Sequence, residues 1–320
     1  MAYHSRFGGL WIDDTDIGKV AEKLALIADP VTRERVAMFA RDGFVVIEQA
    51  IDHASIDAYL WDYQQAADTP GSLQVDVPTE GGRQPFTRER SLTPGAKVLD
   101  TAMLTAHGQD ICFAPQVTEF LAALFEDKAL AFQSLHFEVG STQAIHQDTA
   151  YVVVKHEPMK LVASWIALQD VAPGSGELIY HAGGHRNPEV TYANGESKCW
   201  DVRRDGHAPH DQHLRYLVEQ AASRGLPTLR FLPKKGDVLF WHADLPHGGS
   251  AIAVPGSMRR SLVTHYCPKS LMPHYSDFIP EEWRMQTEAR DGHGFVSLYF
   301  PPSRLHARSA VGTLARVTSR

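Results

Sequence analysis

Apolar positions recur at helical spacing across residues 15–42, at Ile17, Val20, Leu24, Leu26 and Ile27, and Pro30 interrupts them. The pattern predicts two short helices meeting at a turn. Gly43 opens the β-branched run FVVIEQAI, read as a strand, and a helix is expected over Ser55–Ala67. Residues 69–95 are rich in Pro, Gly and polar side chains and predict a long loop. Pro115 suits a first helical position and starts a helix through QVTEFLAALFE. From Ala129 to Pro268 the pattern shortens to strands: LAFQSLHFEV, YVVVK, LVASWIALQDV, ELIYHA, TLRFL, DVLFWHA and RRSLVTHYC. Turn clusters such as PGSGE, KKGD and LPHGG separate them, the spacing of a sandwich or barrel. One interruption, residues 187–227, contains DQHLRYLVEQAASRG, a helix with Asp211 as expected N-cap and Gly225 as expected stop. It reads as an insertion between two barrel strands.

At 320 residues, 43% hydrophobic and 22% charged, the chain has the composition of a soluble globular protein. Length alone allows two domains, but all-β barrels of about 200–250 residues form single units. One domain is expected: residues 1–128 supply helices and a buttressing strand, 129–268 the β core with its 187–227 insertion, and 269–320 a C-terminal extension. A net charge of −7 without any basic block argues against a nucleic-acid or anionic-membrane partner. The first residues lack the pattern of a secretory signal, and no apolar stretch reaches the roughly 20 residues of a membrane span. Cys112, Cys199 and Cys267 offer neither a disulfide framework nor a CxxC site, so a reducing cytoplasm is the expected location. Oligomeric state is not legible.

Histidine is the conspicuous chemical resource. IHQDTAYVVV puts His146 and Asp148 two apart at the edge of an expected strand, where residues i and i+2 share a face, so one imidazole and one carboxylate can bind a single metal. With 17 His and 22 Asp in 320 residues, about one His-x-Asp arises by chance. A second exists, His242 with Asp244, and a near relative, His136 with Glu138. A mononuclear iron site also needs a later histidine, and an acidic co-substrate needs a cation. His247 follows DVLFWHADLP, and Arg259 heads RRSLVTHY. The rival set of His242, Asp244, His293 and Arg304 has tolerable spacing, but Pro301 and Pro302 precede its arginine where a central strand cannot continue. No His and Arg follow His136 and Glu138 at suitable spacing.

HQD, the strand SWIALQDV with Trp165, the turn and strand GSGELIYHAGGHR, then KKGDVLFWHADLPHGGS and MRRSLVTHY, together resemble the phytanoyl-CoA dioxygenase-like branch of iron(II)/2-oxoglutarate oxygenases. The resemblance covers residues 130–268. It implies a mainly β fold, a double-stranded β-helix of the jelly-roll, cupin-like kind with flanking α-helices. On this resemblance His146, Asp148 and His247 match the metal triad, and Arg259 the arginine that clamps the distal carboxylate of 2-oxoglutarate. Two imidazoles and a carboxylate on one face of an octahedral ion leave three positions for a chelating 2-oxo acid and dioxygen, and a guanidinium can meet the far carboxylate with two parallel hydrogen bonds. Arg259 and Arg260 face opposite ways on a strand, so only one enters the pocket; the likeness of MRRS favours the first. Ser261 shares the strand face of Arg259 and can add a hydroxyl, while Gln133 and Trp165 resemble pocket-lining positions. Family members often carry Ser two residues after the distal histidine, where this chain has Gly249.

The implied reaction uses Fe(II), 2-oxoglutarate and O2, releases succinate and CO2, and hydroxylates a small molecule. Desaturation and epimerisation are alternatives on the same scaffold, and a non-catalytic jelly-roll binding protein is a further one. A serine hydrolase could be read into HGGS, but there is no G-x-S-x-G elbow; the nearest, Gly195–Cys199, lacks the second glycine. The other histidines, His185 and His242 among them, and the loop arginines Arg83, Arg88 and Arg90 read most simply as surface or core residues. The 187–227 insertion, with the 69–95 loop, is expected to form a lid over the iron. From Arg186 to Arg230 the chain holds seven Lys or Arg against six acids, a hint of a polar or anionic substrate, though a solvated surface helix explains the same charges more simply.

Overall fold

The computed structural model describes residues 5–306; residues 1–4 and 307–320, with the end of the expected C-terminal extension, lie outside the described residues. The first helices run Ile17–Leu26 and Pro30–Asp42. Asp29 caps the second by accepting from Thr32 N at 2.6 Å, and Pro30 sits where its missing N–H costs nothing. Gly43 ends that helix at φ +79°, and a Cβ there would lie 2.4 Å from His185 Nδ1, so conformation and space both require glycine.

Among the described residues thirteen strands follow in chain order: β1 (Phe44–Ile47), β2 (Gln74–Val77), β3 (Gly82–Pro85), β4 (Lys97–Leu99), β5 (Ala129–Phe137), β6 (Val162–Ala167), β7 (Leu178–His181), β8 (Thr228–Phe231), β9 (Val238–His242), β10 (His247–Gly249), β11 (Ser261–Pro268), β12 (Thr287–Glu288) and β13 (Gly294–Phe295). The larger sheet has the order β1-β9-β6-β11-β5-β4-β2-β3, with β13 joining β5 in parallel; the smaller has the order β10-β7-β8. This is the jelly roll of a double-stranded β-helix, mainly antiparallel and flanked by helices. β5, β6, β9 and β11 are buried at every residue, which is why they read as mainly apolar runs, interrupted by Gln133, Ser134 and His136 in β5 and by Thr264 and His265 in β11, rather than as regular alternation. One face packs on the helices Pro30–Asp42 and Pro115–Phe125, with Phe120 meeting Phe240 at 4.7 Å between ring centroids. The other face looks toward the smaller sheet.

Three expectations are corrected. Residues 69–95 are not a long loop: they contain the β2–β3 hairpin and a helical turn, Arg88–Ser91. The hairpin is polar because only one face is covered, with Val75 and Val77 buried and their neighbours half-exposed. YVVVK forms no strand beyond one bridge, Val154 to Pro273; its valines are apolar because Val152 and Val154 enter a side cluster with Phe132 and Tyr275. The insertion helix spans Ala208–Ser223, so Asp211 lies in its first turn and does not cap it. Gly225, at φ +62°, does sit just beyond its end.

Candidate metal centre

Strand register assembles a cavity wall. Val263 of β11 lies opposite Trp165 on β6 and Leu135 on β5, His265 lies opposite Gln133, and Leu239 of β9 lies opposite Trp165. Paired residues share a face, and so do residues two apart along a strand. Trp241, Trp165, Val263, His265, Gln133, Leu135 and Phe137 therefore all look the same way. They line a cavity of about 320 Å³. The register shift on β11 between His265 and Tyr266 leaves Phe132 of β5 unpaired beside them, a bulge at the edge of the site.

The smaller sheet brings the second wall. His146 and His247 form a bridge, each backbone N–H donating to the other's carbonyl at 2.9 Å, and Asp148 follows in a short turn. Among the described residues, only His146, Asp148 and His247 bring three ligand atoms within 4.8 Å of one another. Asp148 Oδ1 lies 3.9 Å from His146 Nε2 and 3.6 Å from His247 Nε2. Each imidazole donates from Nδ1 to the carbonyl two residues earlier, His146 to Ala144 at 2.8 Å and His247 to Leu245 at 2.9 Å. That bond fixes the tautomer and leaves Nε2 with its lone pair toward the shared point. Trp241 Nε1 donates to Asp148 Oδ2 at 2.6 Å, and His265 Nε2 stands 3.4 Å from the same oxygen, so Oδ1 remains for an ion. Burial and the adjacent His247 bring the His146 pKa down to about 3. Burial also pushes Asp148 upward, but the imidazoles of His247, His265 and His146 outweigh it and hold the carboxyl below its ordinary range. The donor set of two neutral imidazoles and a carboxylate fits a divalent transition metal.

Arg259 is 1% exposed. Its guanidinium lies 5.3 Å from the Trp165 ring and 5.5 Å from that of Phe137; among the described residues its one hydrogen bond is 3.5 Å to Val139 O and no carboxylate lies within ion-pair distance, Glu177 acting on it from farther away. Burial lowers its pKa to about 10, so it is a cation at neutral pH. An unpaired buried charge is costly unless an anion joins it. Arg260, on the opposite face, pairs with Glu138 at 2.9 Å. Gln133 and Trp165 line the cavity, Gln133 donating to the Tyr299 hydroxyl at 2.7 Å. Ser261 is fully buried with its hydroxyl unpartnered and does not line it.

The rival set is dispersed. His242 meets Asp13 at 3.3 Å, Asp244 pairs with Lys198, His293 accepts from Ala129 N, and Arg304 donates to Ser72 O. No residue of 187–227 lines the cavity, so the expected lid is not over it; of that segment's arginines, Arg204 pairs with Asp205 and donates to Cys199 O, and Arg224 donates to Asn187. From 69–95 only Asp76 reaches the cavity. Sequence reasoning missed Trp241, His265 and Tyr151, and also His274, Tyr275 and Tyr299 of the C-terminal extension, which close the remaining side. Trp241 and His265 were findable from strand parity; the C-terminal residues lie in irregular chain with no periodic signal.

The profile of the phytanoyl-CoA dioxygenase family (PhyH) matches residues 39–261. No curated protein matches the chain in sequence. Among solved structures, EctD from S. alaskensis with 2-oxoglutarate and 5-hydroxyectoine is 17% identical, with a TM-score of 0.58 over 83% of this chain and 86% of that one. The non-heme α-ketoglutarate-dependent carbocyclase SnoK from nogalamycin biosynthesis is 17% identical, TM-score 0.54, covering 78% of this chain and 87% of that one. The epimerase SnoN in complex with Fe3+, α-ketoglutarate and nogalamycin RO is 17% identical, TM-score 0.55, covering 76% and 86%. At such identities the likeness is one of fold.

Proposed function

The chain belongs to the phytanoyl-CoA dioxygenase family and is a 2-oxoglutarate-dependent dioxygenase; from that premise we propose that it hydroxylates a small-molecule substrate at iron held by His146, Asp148 and His247. The observation that carries this reading is one cavity containing both three converging ligand atoms and a buried guanidinium with no carboxylate within ion-pair distance among the described residues. Bound there, iron with 2-oxoglutarate and dioxygen supplies the oxidation of an unactivated C–H bond, with succinate and CO2 as co-products.

The chain's own residues bind, orient and exclude water. His146 and His247 would hold the ion through Nε2 and Asp148 through Oδ1, with the tautomers set by Ala144 and Leu245 and the carboxylate rotamer set by Trp241. Arg259 would take the far carboxylate of 2-oxoglutarate with two parallel charge-assisted bonds, steadied by the Trp165 and Phe137 rings. Leu135, Val263, Leu298 and the aromatic walls keep water away, while Asp76, Gln143, Tyr151 and Tyr299 supply polar contacts for a compact substrate. Because position 148 is a carboxylate, no ligand position is left over for chloride, which favours hydroxylation over halogenation.

The test is to incubate iron-loaded protein with 2-oxoglutarate, isotopically labelled dioxygen and fractionated metabolite extract, following substrate-dependent succinate. A product that gains one labelled oxygen supports hydroxylation. Loss of two hydrogens, inversion at carbon without added oxygen, or chlorine incorporation overturns it. The absence of both succinate formation and 2-oxoglutarate binding would reduce the protein to a jelly-roll binding module.

A further inference from the structure

The insertion turns its histidines inward. On the helix Ala208–Ser223 the buried positions are His210, His213, Leu217 and Ala221, one stripe at helical spacing. His213 Nδ1 lies 2.7 Å from the Tyr192 hydroxyl, and its Nε2 lies 3.0 Å from Gln147 Oε1. Gln147 donates onward to Asp244 O at 2.6 Å. Lys198, 3% exposed, meets Asp244 Oδ2 at 2.8 Å, and Thr149 donates to Oδ1 of the same carboxylate at 2.6 Å. The backbone N–H of Trp200 donates to Ala150 O at 2.9 Å. The Tyr151 hydroxyl is 2.9 Å from His210 Nε2, and that imidazole stacks on Trp200 with 4.3 Å between ring centroids.

Gln147, Thr149, Ala150 and Tyr151 are thus each held by the insertion or by the buried ion pair it completes. Asp148 alone turns its side chain the other way, to Trp241 and the two ligand histidines. We propose that the insertion is a clamp on the ligand-bearing turn, with His213, Tyr192 and Lys198 acting as positioning residues for Asp148. The proposal rests on the metal reading of His146, Asp148 and His247. Its physical basis is that a satisfied buried network fixes a single arrangement, whereas one partner removed leaves uncompensated polar groups behind the turn. Partners outside the ligand set commonly govern metal affinity by ten- to a hundredfold.

The test is anaerobic equilibrium dialysis of Fe(II) against the full chain without 2-oxoglutarate, with thermal unfolding of each metal-free variant to establish that it folds. His213→Leu weakens Fe(II) binding about ten- to a hundredfold, and Tyr192→Phe weakens it in the same direction. His213→Gln, which restores a donor to Gln147, recovers most of the affinity. Glu219→Ala, on the exposed face of the same helix, leaves it unchanged. Folded His213→Leu and Tyr192→Phe proteins that bind Fe(II) within twofold of the wild type would overturn the clamp. Should His213→Leu fail to fold, Tyr192→Phe decides alone, since it removes one oxygen and keeps the ring. A wild type that does not bind Fe(II), or a His247→Ala variant that binds it equally well, refutes the metal reading itself, and the clamp falls with it.

Discussion

Arg259 has no carboxylate within ion-pair distance among the described residues, and Glu177 acts on it only at longer range. Replacing a buried, unpaired ion with an apolar side chain of similar length is neutral or stabilising, whereas a salt-bridged arginine would be missed. Arg259→Met is therefore expected to unfold at the same temperature as the wild type or higher without ligand, while 2-oxoglutarate affinity falls at least about a hundredfold, from two charge-assisted bonds at about 1.5–3 kcal/mol each. Calorimetry of the metal-free protein and a 2-oxoglutarate titration read the two effects separately. His146 makes a pH prediction. Its pKa in the fold is about 3, against an ordinary value near 6.5, so the unfolded chain takes up a proton that the folded one refuses. Stability contributed in this way is complete above about pH 6.5 and is lost as pH falls toward about 3. The depressed carboxyl of Asp148 adds its own loss only below about pH 4, so the loss in the upper part of the window comes from buried imidazoles such as His146 and His213, the latter at about 4, while Asp100, raised to about 7 by burial, works the other way over the same range. The test is the difference between metal-free wild type and His146→Gln: their urea midpoints should diverge as pH falls from about 6.5 toward about 3, the wild type losing more.

Strands and turns were legible wherever one physical signal dominated. The helix pair split at Pro30, the strand after Gly43, the helix from Pro115 and the four central strands all stand where periodicity or a fixed-φ residue put them. The hairpin in 69–95 was obscured because a half-covered, two-stranded edge is polar on one face and short. YVVVK misled because a β-branched apolar run serves a buried irregular segment as well as a strand. Gly249, where the resemblance leads one to expect serine, has a local cause: a Cβ there would lie 2.3 Å from Ser141 Oγ and 2.7 Å from Thr142 N. The 141–143 segment lines the cavity with Ser141 and Gln143 and presses directly on β10. Gly249→Ala is expected to cost about 1–3 kcal/mol, seen as a lower midpoint in chemical denaturation; a neutral substitution would mean that the segment yields freely.

At the scale of the whole molecule, the convergence of His146, Asp148 and His247 and the presence of Arg259 in the same cavity were legible through the ordered motifs that resemble the family, not through strand geometry: His146 sits in an isolated bridge, Asp148 in a short turn, Arg259 just before β11, and His247 alone opens a strand. What surrounds them was not, because it comes from chain distant in sequence: Tyr299 and His274 from the C-terminal extension, and the histidines of the insertion, which pass for surface residues until the helix is seen to bury them. Replacing residues 200–215 with a short Gly/Ser linker separates two roles for that insertion. A lid would lose substrate oxidation and keep 2-oxoglutarate binding, whereas a support for the ligand turn, as its contacts with Gln147 and Tyr151 indicate, loses Fe(II) affinity as well. The most direct test of the central claim is anaerobic absorbance of the Fe(II)–2-oxoglutarate chelate on the purified protein. The account predicts a visible charge-transfer band that saturates at one equivalent of each, disappears in His146→Ala and His247→Ala, and needs far more 2-oxoglutarate in Arg259→Met. A wild type without the band, or a band that survives loss of either histidine, would contradict it.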